Sequence, residues 1–174
     1  MRVIFLDIDG VLNSTRTMIV WGSGLVPFTQ RELDNISRDD VLLDPVAVDL
    51  LRLLTEASGA KIVISSTWRL RSSPTAFHKM FDLYGWDTRD IVIGLTPVLH
   101  HKRGDEIASW LKDNPVVEQY VILDDDSDML VDQLPNFVNT EHDVGFARGD
   151  FEKAIGIFGM TLSDVIKYRN SLDQ

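Results

Sequence analysis

Val3-Ile4-Phe5-Leu6-Asp7-Ile8-Asp9-Gly10-Val11-Leu12-Asn13 is the stretch that decides how the chain is read. Val3 to Leu6 is apolar without polar alternation and too short for a helix, the pattern of a strand buried on both faces of a parallel sheet. Asp7 and Asp9 follow at its carboxyl end, and Gly10 turns the chain away. Open α/β sheets bind ligands in the crevice outside the carboxyl ends of their strands, so the two acids are expected to share a partly dehydrated site. Like charges about 4 Å apart repel by roughly 4 kcal/mol at an effective dielectric near 20. A bound cation relieves that repulsion, and hard oxygen ligands suit Mg²⁺. The plain alternative is a strand closed by an Asp-Gly turn, so the reading depends on the rest of the chain.

Composition sets the outer limits. The 174 residues, 44% hydrophobic and 25% charged, fit one domain spanning 1–174 with a sizeable core. The absence of cysteine excludes a disulfide framework, a thiol nucleophile and a Cys-ligated zinc or iron–sulfur site. Met1-Arg2 leads into a strand ending in acids rather than a secretion signal, and no apolar run approaches the ~18 residues of a membrane helix. A cytoplasmic protein without a membrane partner is therefore expected. The formal net charge of −10 argues against broad, nonspecific affinity for nucleic acid, although a local basic rim is compatible with it.

After Asn13 the pattern dissolves, and a flap insertion is expected at about 13–43, with a hairpin turning at Gly22 to Gly24 and with Trp21 and Phe28 covering a substrate. A solvated insertion is the bland alternative. Asp44 then caps a helix with Pro45 at its first position, apolar at Val46, Val48, Leu50, Leu51, Leu53 and Leu54 and ended by Gly59. Lys61 to Ile64 is a second parallel strand, reached by a right-handed crossover, and its end carries Ser65-Ser66-Thr67-Trp68-Arg69. A helix from Pro74 stops at Gly85, and Asp90 to Gly94 holds a short strand or sheet edge.

His100 and His101 are adjacent on a loop and cannot easily close on one ion, and no third nitrogen or sulfur ligand is in view, so zinc is rejected. Lys102 and Arg103 stand at the entrance of a helix packed by Ile107, Trp110 and Leu111. Tyr120 to Leu123 is the third buried strand. It ends in Asp124-Asp125-Asp126-Ser127-Asp128, four acids in five positions that need a cation or solvent. Phe137 to Thr140 reads as a last core strand, and two short helices follow, the second opening at Thr161.

Asp-x-Asp-Gly-Val-Leu after the first strand, the serine pair after the second, the Lys-Arg pair at a helix entrance and the Asp-Asp pair after the third occur in that order between residues 7 and 128. Together they resemble the four motifs of the haloacid dehalogenase (HAD) superfamily. The resemblance implies a HAD-like (Rossmann-like) α/β fold, an open, mainly parallel sheet flanked by helices with only a small flap-type cap. It implies Asp7 as nucleophile and Asp9 as general acid/base, with the Asp9 backbone carbonyl on Mg²⁺. Asp at the second position favours a phosphatase or mutase, since family members that break the aspartyl-phosphate slowly tend to carry Thr there.

By the same resemblance Ser66 contacts the phosphoryl group, with Ser65 one residue out of register as the alternative. From their place at the same crevice, Gly10, Ser65, Thr67 and Arg69 are expected to line the substrate, with Arg69 and Arg71 as bidentate anion ligands and plain surface arginine as the alternative. Lys102 or Arg103 neutralises the nucleophile: the family's basic residue followed by Gly selects Arg103, whereas Lys is the more usual residue type. Asp125 is the expected direct Mg²⁺ ligand, Asp124 its partner, and Asp128 a supporting group. The implied chemistry is Mg²⁺-dependent phosphomonoester hydrolysis through an aspartyl-phosphate.

The stretches Asp-Gly-Val-Leu-Asn, Ser-Ser-Thr-Trp-Arg, Arg-Gly-Asp-Glu-Ile with Trp110-Leu111, and Val-Ile-Leu-Asp-Asp are similar to the small HAD domains associated with RNA-repair proteins. That implies a polynucleotide 3′- or 5′-phosphate end as substrate. Arg69, Arg71, His100, His101 and Lys102 would then contact backbone phosphates, and Trp21 or Trp68 would stack on a terminal base. A free-nucleotide phosphatase is the second reading. A catalytically idle module that binds phosphate or a cation is the third, and intact Asp7 and Asp9 argue against it.

Overall fold

The computed structural model describes residues 1–23, 43–99 and 102–172. Five strands, β1 (Arg2–Leu6), β2 (Lys61–Ile64), β3 (Val92–Leu95), β4 (Gln119–Asp124) and β5 (Phe137–Asn139), form one open sheet in the order β3-β2-β1-β4-β5. Every neighbouring pair is parallel. The open parallel α/β sheet expected from the apolar runs, and implied as HAD-like by the resemblance, is the one found.

Register, more than strand count, positions the site. Leu6 lies opposite Ile64 on one side and Leu123 on the other. The ladder continues one residue past β1, with the Asp7 N–H donating to the Leu123 carbonyl at 3.0 Å and the Ser65 N–H to the Leu6 carbonyl at 2.9 Å. Asp7, Ser65 and Asp124 therefore leave three adjacent strands at one level.

The strand alternation divides the core. Ile4, Leu6, Ile62, Ile64, Val121 and Leu123 face a large cluster, with α2 (Pro45–Ser58), α3 (Pro74–Asp82), α5 (Arg148–Ile157) and α6 (Leu162–Leu172) supplying its other wall. Val3, Phe5, Val63 and Ile122 face the opposite way, onto Ile107 and Trp110 of α4 (Arg103–Asp113). Phe5 meets Trp110 and Tyr120 edge-on, with ring centroids 5.4 and 5.9 Å away. Both faces being covered explains why the strands read as continuous apolar runs. Helix ends follow the sequence signals: the Asp44 carboxylate accepts from the Val46 N–H at 2.8 Å, and Gly59 adopts the left-handed conformation that stops α2.

One expectation is corrected. No hairpin turns at Gly22, because Thr15–Gly22 is a helix, α1. Ser14 caps it, accepting from the Thr17 N–H at 3.3 Å, and the Arg16 guanidinium reaches the Asp44 carboxylate at 2.7 Å. Trp21 is partly buried and lines a cavity with Arg16, Val20, Pro45 and Val46. Phe28 and the remainder of the expected flap, 24–42, lie outside the described residues.

Candidate active site

Asp7 is 5% exposed, and its Oδ1 accepts from the Ile8 N–H at 2.8 Å. Arg103, the first residue of α4, brings its Nη1 to 3.2 Å from Asp7 Oδ1 and 3.0 Å from Asp124 Oδ2. These are ion pairs rather than aligned hydrogen bonds, and Asp124 Oδ2 has no hydrogen-bond partner. The helix start is held in place: the Arg103 N–H donates to Asp128 Oδ2 at 2.9 Å, and Gln133 Nε2 to the Gly104 carbonyl at 2.8 Å. A Cβ on Gly104 would lie 2.6 Å from the Leu130 backbone nitrogen, so only glycine lets this turn sit so close to the loop after β4. That is the physical content of a basic residue followed by Gly. Lys102, exposed at the helix N-cap, is not brought to Asp7 by any contact of this kind.

The electrostatics are set by burial. Asp124 is fully buried, which pushes its carboxyl up to about 8; Asp7 adds to the rise, while Arg103 and the Asp126 N–H oppose it. Burial disfavours the Arg103 charge, but Asp124 and Asp7 outweigh that cost and hold its proton more firmly than usual.

Asp7, Asp124 and Asp125 each offer a carboxylate oxygen, and the three lie within 4.8 Å of one another. Three hard oxygen donors, one of them the buried Asp124 with an unpartnered oxygen, fit a small divalent cation such as Mg²⁺. Asp124 is the one level with Asp7 in the sheet and is deeper than Asp125, whose Oδ2 pairs with His142 Nδ1 at 2.6 Å. Gly10, at φ +68°, lies against Asp125 so closely that a Cβ would run into the carboxylate. Its carbonyl accepts from Thr140 Oγ1 at 2.8 Å, which ties the loop after β1 to the end of β5.

The Asp9 carboxylate is not one of these three acids. Its Oδ1 accepts from Asn13 Nδ2 at 2.8 Å and its Oδ2 from the indole Nε1 of Trp68 at 2.7 Å. Trp68 is partly buried: its indole N–H donates to Asp9, and its ring packs on the main core. Of the serine pair, both buried, Ser66 Oγ caps the 3₁₀ turn Thr67–Leu70 by accepting from the Trp68 backbone N–H at 3.3 Å. Ser65 Oγ, level with Asp7, has no protein partner. Thr67 is exposed at the start of the turn.

Arg69 does not open onto the crevice. Its five donors are all used internally: Nε on the Thr96 carbonyl, Nη1 on the Ser65 and Ser66 carbonyls, and Nη2 on the Pro97 carbonyl and the Glu106 carboxylate. It is a brace between the β2 loop and α4, not a free anion ligand. Arg71 is exposed, and His100 and His101 lie outside the described residues. The sequence reading missed Asn13, Glu106 and His142. Asn13 stood inside the first motif, but nothing in the local sequence marks His142 as a neighbour of Asp125.

A parallel sheet in this order, with acids at the ends of β1 and β4 bridged by an arginine from the helix between them, defines a HAD-superfamily domain. The family described as the HAD domain in Swiss Army Knife RNA repair proteins matches residues 3–151. The chain belongs to this family. None of the curated proteins and none of the solved structures matches it significantly. Membership suggests phosphatase-type hydrolysis as the class of chemistry. No helix among the described residues is long and apolar enough to cross a membrane.

Proposed function

We propose that the protein is a Mg²⁺-dependent phosphomonoester hydrolase acting on phosphorylated polynucleotide ends. The observation that carries the reading is the Asp7–Arg103–Asp124 constellation at the carboxyl ends of two central strands. An Asp7 oxygen attacks phosphorus while the ester bond breaks, and the Asp9 carboxyl gives its proton to the departing oxygen. Water then attacks the Asp7-bound phosphoryl group, its proton passes to Asp9, and the acyl-phosphate bond breaks to restore the Asp7 carboxylate and release phosphate. Arg103 and a buried serine hydroxyl, Ser65 or Ser66, meet the phosphoryl oxygens, a role in which preorganised groups contribute strongly. Asp7, Asp124, Asp125 and the Asp9 carbonyl would hold Mg²⁺, which supplies charge neutralisation at the phosphoryl group.

The substrate class rests on the RNA-repair context of the family. Release of phosphate from 3′- and 5′-phosphorylated oligonucleotides, compared with the matching mononucleotides at two salt concentrations, tests it. Preference for oligonucleotide ends that weakens with salt is expected, because backbone phosphate contacts release counterions. Equal or faster cleavage of mononucleotides would overturn the end-processing reading and promote a nucleotidase. No turnover of any phosphomonoester would leave the binding-module reading.

A further inference from the structure

The Asp9 carboxylate is held at both oxygens by groups that cannot titrate in its place. Asn13 Nδ2 takes Oδ1 at 2.8 Å and Trp68 Nε1 takes Oδ2 at 2.7 Å. An indole N–H is a donor only. It can orient a carboxyl group, but it can neither accept the proton that Asp9 must carry nor compete for the one it must deliver.

The indole is itself fixed from several directions. The Trp68 backbone N–H donates to Ser66 Oγ at 3.3 Å, and the Trp68 carbonyl accepts from the Arg71 N–H at 3.2 Å. The next residue, Arg69, is clamped by four carbonyls and Glu106. The ring packs against the main core. The loop that carries Ser65 and Ser66 thus also delivers a rigid donor to a carboxylate belonging to the β1 loop, and registers the two loops against each other.

We propose that Trp68 is a positioning residue that aims the Asp9 carboxyl at the leaving-group oxygen. This rests on the hydrolase reading, in which Asp9 is the general acid/base. Correct placement of such a group contributes typically about 10² to 10⁴-fold to rate, and a carboxyl freed from one of two anchors retains only part of that.

Leaving-group dependence separates positioning from mere packing. p-Nitrophenolate departs without a proton, whereas an alkoxide from an alkyl phosphate does not. kcat/KM covers only the steps up to phosphoryl transfer onto Asp7, so the Trp68→Phe variant should lose about tenfold or more in kcat/KM on an alkyl phosphate relative to p-nitrophenyl phosphate. Replacing Trp68 by β-(3-benzothienyl)alanine, which keeps the bicyclic shape and lacks the N–H, should give the same split and guards against a folding defect in Trp68→Phe. An activity-independent arm follows the Trp68 indole ¹H–¹⁵N signal, assigned by its loss in Trp68→Phe, which should move in Asp9→Ala. Equal losses on both esters, or an indole signal indifferent to Asp9→Ala, would overturn the positioning role while leaving the hydrolase reading in place. Wild-type protein inactive on both esters and on oligonucleotide ends would overturn the hydrolase reading and the positioning role of Trp68 together.

Discussion

Arg69 and Glu106 form an ion pair whose side chains are only 4% and 7% exposed, joining the loop after β2 to the first turn of α4. Removing one member of such a pair strands a charge in a dehydrated place, a loss of about 3–5 kcal/mol. Glu106→Ala and Arg69→Ala are each expected to destabilise by that order in urea unfolding. Because each single variant already breaks the pair and strands the other charge, a cost the double variant does not carry, the double should fall short of the sum of the singles.

Arg103 and Lys102 should separate cleanly. Arg103→Ala is expected to lower kcat by about 10² to 10³-fold, the range for deleting one preorganised donor to developing charge. Lys102→Ala should leave turnover on p-nitrophenyl phosphate within roughly threefold. Steady-state kinetics on both variants decide the matter, and the opposite ranking would reassign the basic role.

Metal binding is expected to appear as stability. Mg²⁺ at about a hundred times its dissociation constant should stabilise the fold by roughly 2.7 kcal/mol, read as a rise in Tm that EDTA reverses. Asp124→Asn should abolish the rise. In Arg103→Ala, where Asp7 and Asp124 lose their shared partner, the apo protein should be weaker and the Mg²⁺ increment larger than in wild type.

Gly10 and Gly59 make a controlled comparison, since both have positive φ, +68° and +67°. Alanine at Gly59 meets nothing within 4 Å and should cost only the left-handed backbone penalty of about 1–2 kcal/mol. Alanine at Gly10 must in addition displace Asp125. It should destabilise more and weaken Mg²⁺ affinity, measured by calorimetry, whereas Gly59→Ala should leave that affinity alone.

Tyr84 sets an alkaline limit. Its hydroxyl accepts from the Leu43 N–H at 2.6 Å and donates to the Leu43 carbonyl at 2.9 Å, and burial, set against the backbone hydrogen bond, pushes it up to about 12 from 10. The folded state keeps this proton more tightly than the unfolded chain, so its contribution is complete below pH 10 and is lost as pH rises toward 12. Tyr84→Phe should be less stable at neutral pH and show a flatter decline across that window in denaturation at stepped pH.

How far the sequence carried the reading depended on whether the deciding contacts were local. Apolar runs at Val3 to Leu6 and Lys61 to Ile64 bury on both sheet faces, and Asp44 and Gly59 punctuate α2 through their own backbone, so these were legible. Helix α1 was not, because Met18, Ile19 and Val20 are consecutive and exposed and carry no period. In the sequence Arg69 and Trp68 look available to the crevice, as a charge and an indole in a loop. Their acceptors come from Thr96, Pro97, Glu106 and Asp9, which only the tertiary fold gathers. The choice of Asp124 over Asp125 as Asp7's neighbour turned on strand register, which is invisible until β1 and β4 are paired.

That pairing also fixes when the chain becomes itself. Arg2 and Gln119, opposite one another in the β1–β4 ladder, are 117 residues apart in sequence. During synthesis β1 emerges ahead of β4, and one flank of Val3-Ile4-Phe5-Leu6 stays open until β4 has followed. An apolar strand with an unmet edge invites pairing with other chains. Truncation before β4 should therefore yield an aggregating product rather than a weak enzyme, and chaperone capture of the nascent chain is expected to persist until Leu123 has cleared the ribosome.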